Sequence, residues 1–87
     1  MTIDVRPHLI ATITVAATAM EFFMGFEPAE LNGLPVDVLE AIEHYDQTAT
    51  REGKGLAISE LKVAIANWLA TDRAECLAWL SPAWGIE

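Results

Sequence analysis

An all-α fold is predicted for this 87-residue chain by three observations. Apolar residues recur at helical spacing along several stretches, Pro and Gly stand where helices begin and end, and the connecting segments are short. The expected architecture is a single helical domain over residues 1–87. It is a small antiparallel bundle of three main helices, or four if the C-terminal helix breaks near Thr71. A chain this short buries only about 60–65% of its unfolded surface, yet 53% of its residues are hydrophobic. Monomers rarely expose large contiguous apolar patches, so the surplus points to contact with a second copy or another protein.

The first element is Pro7–Met24. Leu9, Ile13, Ala16, Ala17, Met20, Phe23 and Met24 follow helical spacing, Pro7 suits a first turn and Gly25 suits the position past a helix end. Against this, Ile10-Ala11-Thr12-Ile13-Thr14-Val15 is rich in β-branched residues and partly alternates, which is a strand signal. Length and terminal signals decide for the helix. The apolar run Leu9–Met24 holds Thr12, Thr14, Thr18 and Glu21, and its 16 residues fall short of a membrane span. Ala17-Thr18-Ala19 has the look of a signal-peptide cleavage site, but the opening Met1–Pro7 lacks the positive charge such signals carry. A cytoplasmic location is expected.

Phe26–Pro35 reads as a connector, with one turn from Pro28 to Leu31 and a closing Asn32-Gly33. Pro35 then starts a helix that runs to about Gln47. Thr48–Gly55 is expected to be a polar loop whose Arg51 and Lys54 pair with the acidic helix before it. From Leu56 or Ser59 a last helix should run to Leu80, stopped by Ser81-Pro82, with an irregular tail beyond. Asp72-Arg73-Ala74-Glu75 has the spacing of a capping box, which is why a break near Thr71 is kept open. If that helix is unbroken, Trp68 and Trp79 stack on one face near Leu61 and Ile65, and Ala57, Ala64 and Ala78 admit a close neighbour.

Charge is distributed unevenly. Thirteen acids and five bases give a net charge of −8, and residues 7–50 carry seven acids with no Lys or Arg. On a helical wheel Val38, Ala41, Ile42 and Tyr45 form one face, while Asp37, Glu40, Glu43, His44 and Gln47 fill an opposite arc of about 120°. Carboxylates three or four residues apart lie about 5–6 Å from each other. A row at that pitch can face a basic groove that ordinarily tracks a phosphate backbone. Such a surface repels nucleic acid and anionic membrane and attracts basic protein. A merely solubilising polar face accounts for the acids, but it leaves the missing Lys and Arg unexplained.

Catalytic signatures are absent. There is no G-x-S-x-G, no paired cysteines and no dinucleotide loop, and Gly53-Lys54-Gly55 lacks the phosphate-loop pattern. No enzymatic activity and no cofactor are therefore expected. Asp37, Glu40 and His44 lack the Glu-x-x-His spacing of carboxylate-bridged metal bundles, so no metal is expected, and a Glu40–His44 pair reads as a surface hydrogen bond. The single Cys76 lies in an apolar helical pattern and reads as a small hydrophobe. Trp84 reads as tacked onto the core, and it is also the best aromatic anchor for a partner, since Trp is enriched at interface hot spots.

In size, acidity and lack of catalytic residues the chain resembles small phage- or mobile-element-encoded inhibitors, anti-CRISPR proteins among them. The resemblance is one of bulk properties. It implies a non-enzymatic protein that blocks a basic nucleic-acid-binding surface of its target, with nucleic-acid mimicry as the mode. The partner-binding residues would be Glu27, Glu30, Asp37, Glu40, Glu43, His44, Asp46 and Trp84. The alternative is a homo-oligomeric structural, adaptor or antitoxin-like protein that buries its apolar surplus against its own copy.

Overall fold

The computed structural model describes residues 13–85. Helix α1 spans Ile13–Met24, a 3-10 turn spans Pro28–Leu31, and α2 spans Val36–Gln47. Helix α3 spans Arg51–Thr71 and α4 spans Arg73–Trp84. No strand occurs among the described residues, and the fold is all-α.

Ala16, Ala19, Met20 and Phe23 are buried along one stripe of α1, at the spacing that keeps successive turns on one face. That burial outweighs the β-branched propensity of Ile13-Thr14-Val15, which are helical. The Thr18 hydroxyl donates to the Thr14 carbonyl at 3.0 Å, satisfying itself within the helix. Pro7, Leu9 and residues 10–12 lie outside the described residues. In the connector, Leu31 and Leu34 are buried and draw the chain back over the core. Pro35 precedes α2, and its carbonyl accepts from the Leu39 N–H at 3.0 Å.

Residues 51–55 belong to α3 and not to a loop. The Thr50 hydroxyl caps the helix by accepting from the Gly53 N–H at 3.0 Å, and the Thr50 carbonyl accepts from the Lys54 N–H at 3.0 Å. Only Thr48–Thr50 separate α2 from α3. Lys54 pairs with no acid among the described residues: its ammonium donates to the Tyr45 carbonyl at 3.1 Å and sits 4.2 Å from the centre of that ring. Going back along α2 toward its N-terminus, Tyr45 meets Lys54 and His44 meets Glu60, while Asp37 and Glu40 share a groove with Val63, Ala64 and Asn67. The two helices therefore run antiparallel.

The two glycines of the α3 first turns behave differently. A Cβ on Gly55 meets nothing within 4 Å, so Gly55→Ala should stabilise by about 0.5–1 kcal/mol through reduced backbone entropy. A Cβ on Gly53 would collide with the Thr48 hydroxyl and come 2.9 Å from the Thr50 hydroxyl, the capping group itself. Gly53→Ala should therefore lower the denaturation midpoint while Gly55→Ala raises it. Equal shifts in urea titrations would contradict this account.

Helix α3 is the central element, packed against α1, α2 and α4. Its buried stripe is Ala57, Leu61, Ala64, Ile65 and Trp68, where the two alanines permit close approach of neighbouring helices. Ala78, by contrast, is exposed. The long helix stops at Asp72, whose backbone is extended (φ −150°, ψ 76°). The Asp72 carboxylate then caps α4 by accepting from the Glu75 N–H at 3.2 Å. This break puts Trp68 and Trp79 on different helices, so they do not share one continuous face. Trp68 is buried, whereas Trp79 leans on Phe23 and Phe26, with ring centroids 6.3 and 5.9 Å away.

Ser81-Pro82 does not stop α4. Proline costs one backbone hydrogen bond in a helix interior, but Pro82 sits in the last turn and the helix continues to Trp84. Ala83 and Trp84 pack against the core, and the Trp84 indole N–H donates to the Val15 carbonyl of α1 at 3.2 Å. Gly85, in the left-handed region at φ 66°, ends the helix, and its N–H donates to the Ser81 carbonyl.

Cys76 is fully buried, and desolvation pushes its thiol pKa up to about 12 from 9.0, with nearby Asp72 adding to the rise and Arg73 opposing it. Two outcomes are expected. The folded protein should resist thiol reagents at pH 8 and react once denatured. The unfolded thiol ionises first, so this contribution to stability is intact below pH 9 and lost as pH rises toward about 12. A Cys76→Ala variant should therefore lose less stability than the parent across that window, as read from denaturant midpoints.

Candidate protein-binding surface

The acidic side chains are carried on α2 and on the turn before it. Burial of Val38, Ala41 and Ile42 fixes the rotation of α2, with Tyr45 half-buried on the same side. That rotation turns Asp37, Glu40, Glu43 and Asp46 outward as an exposed ridge, each three residues from the next. Glu21 on α1 and Glu27 and Glu30 around the 3-10 turn are exposed as well. Glu30 closes its own turn by accepting from the Glu27 N–H at 2.9 Å, and Glu43 accepts from the Gln47 side-chain amide at 3.1 Å. None of the seven carboxylates has a Lys or Arg within ion-pairing distance among the described residues. Their negative potential is thus uncompensated locally, and exposed charge of one sign steers oppositely charged partners.

The ridge divides two grooves. On one side, Asp37 and Glu40 face α3, where Glu60, Val63, Ala64 and Asn67 complete a groove of about 380 Å³. On the other side, Glu43 and Asp46 join Phe23, Met24, Phe26, Pro28, Leu31, Leu39 and Ile42 around a larger groove of about 490 Å³. Its floor is apolar because the aromatic end of α1 continues into the turn: Phe22 and Phe26 meet edge-on with centroids 4.9 Å apart.

Of the residues singled out from sequence, Asp37, Glu40, Glu43 and Asp46 share the α2 ridge, and Glu27 and Glu30 flank the larger groove through their neighbours Phe26, Pro28 and Leu31. His44 is not paired with Glu40. Its Nδ1 lies 2.9 Å from Glu60 Oε2 across the α2–α3 interface, which reduces its freedom to meet a partner. Trp84 is half-buried with its indole N–H engaged, away from this ridge. No group of three or more His, Cys, Asp or Glu among the described residues is arranged to hold a metal ion. No helix among them is long and apolar enough to cross a membrane.

Sequence reasoning missed Glu60, a fifth carboxylate at the ridge, because only the α2–α3 register brings it there. It also missed the larger groove, for which a signal existed. On the helical wheel Leu39 falls between Asp46 and Glu43, off the core face, so an apolar side chain stands among acids. Comparison with protein-family models, curated proteins and solved structures found no match to this chain.

Proposed function

We propose that this chain is a non-enzymatic protein-binding module that occupies a basic, nucleic-acid-binding surface of a partner protein. In this reading it acts as a cytoplasmic inhibitor of the kind encoded by phages and mobile elements, anti-CRISPR proteins among them, by presenting carboxylates where phosphates would lie. The observation that carries the reading is the exposed α2 ridge of Asp37, Glu40, Glu43 and Asp46, unmatched by any Lys or Arg in ion-pairing distance among the described residues. The ridge lies on a helix whose other face, Val38, Ala41 and Ile42, is buried in the core, and this supports it as a preorganised template, since ordered presentation lowers the ordering cost of binding.

The test is capture by the tagged protein from nuclease-treated bacterial lysate, with elution along a salt gradient and identification by mass spectrometry. Exposed charges are screened as salt rises, so a nucleic-acid-handling protein released at moderate salt is the expected result. Recovery of no such protein, or of partners indifferent to salt, would overturn it.

A second reading, self-association, is favoured by one observation. Leu56 and Val63 on α3 are 62% and 57% exposed, and with the exposed Ser59, Ala66 and Ala70 they repeat at alternating spacings of three and four. That is the seam spacing of paired helices. A light-scattering mass that stays monomeric at high micromolar concentration would remove this reading.

A further inference from the structure

We infer that the larger groove receives an amphipathic helix of the partner, with bulky apolar side chains on one face and Lys or Arg beside them. The inference rests on the proposed protein-binding function and specifies the chemistry of what docks. Three features of the groove select this occupant. Its floor of Phe23, Met24, Leu31, Leu39 and Ile42 takes apolar anchors, and about 490 Å³ lies within the range of ligand-binding clefts. Its wall carries Glu43 and Asp46, one turn apart and without a Lys or Arg in ion-pairing distance among the described residues, so positive charge on the occupant complements it.

The third feature concerns the backbone. Among the described residues no strand edge lines the groove, so an extended peptide would find no ladder partners there for its N–H and C=O groups. A helix satisfies those groups internally and projects anchors at i, i+3, i+4 and i+7, which is the helix-in-groove mode of recognition. A second copy of this chain is disfavoured, since it would bring a net charge of −8 to an acidic wall.

The test uses fluorescein-labelled synthetic helices in polarisation titrations. One peptide carries Leu at helical spacing with Lys beside it, a second scrambles the same residues, and a third replaces Lys by Glu. The first should bind, and the other two should bind about tenfold more weakly or not at all. Leu39→Glu, or Met24→Glu should that variant fail to fold, should lose about tenfold or more, the effect of removing one anchor site. Glu43→Lys with Asp46→Lys should do the same, while Asp37→Lys with Glu40→Lys, on the other side of the ridge, should change little. Amide shifts on binding should cluster at Met24, Phe26, Leu31 and Leu39.

Equal binding of the scrambled peptide, or equal loss from both charge-reversed pairs, would overturn the groove and leave the acidic-surface function standing. Loss with Leu39→Glu but with neither charge reversal would overturn the cationic specification and remove the acidic-surface function with it.

Discussion

Replacing Phe23 with alanine is expected to remove a large share of the domain's stability. The side chain is fully buried on α1, contacts Trp79 of α4 and forms part of the floor of the larger groove. Truncating a buried phenylalanine costs about 3–5 kcal/mol through lost transfer energy and the cavity left behind. A domain of this length has roughly 4–13 kcal/mol in total. The melting temperature should fall by at least about 12 °C, given about 4–8 °C per kcal/mol for small domains. Phe22→Ala, at a half-buried position one residue away, should cost clearly less. Similar losses for the two variants in guanidinium titrations would show that the packing around α1 has been misassigned.

Reversing Asp37, Glu40 and Glu43 together to lysine should abolish partner capture while leaving the helices intact. The net charge changes from −8 to −2, since each reversal adds two. All three side chains are exposed, so no buried charge is created. Lysine for Asp37 in the first turn of α2 exchanges a favourable helix-dipole contact for an unfavourable one, each about 0.3–1 kcal/mol, and like-charge spacing persists with its sign changed among the three reversed positions while Asp46 stays acidic. Stability should therefore move by no more than about 2 kcal/mol. Loss of three interfacial charge contacts at about 1 kcal/mol each corresponds to a hundredfold or greater drop in affinity. Unchanged capture at the same ionic strength, with circular dichroism also unchanged, would end the proposal that this ridge is the binding surface.

The helical class was legible because periodicity is a local property. The α2 face of Val38, Ala41 and Ile42 could be read directly, and so could the acidic arc opposite it, since both follow from 100° per residue. Errors arose where tertiary contacts override local signals. Arg51–Gly55 resembled a loop because of its two glycines, but the Thr50 cap and the Lys54–Tyr45 contact fold it into α3. Pro82 looked like a stop, yet Ala83 and Trp84 gain enough packing to extend α4 past it. The pairing of His44 with Glu60 depends on the register between two helices, which no single helical wheel contains.

The hydrogen bond between the Trp84 indole and the Val15 carbonyl also bears on the order in which the chain folds. It joins residues 69 positions apart, whereas Lys54 and Tyr45 are separated by 9. Loop-closure entropy grows as the logarithm of loop length, so the long closure costs about 2 kcal/mol more than the short one. The α2–α3 hairpin can therefore form as a nucleus before α1 and α4 meet, and the α1–α4 seam closes last. In the native state this seam is where sub-global opening should begin, with amides of α4 exchanging with solvent faster than those of α3.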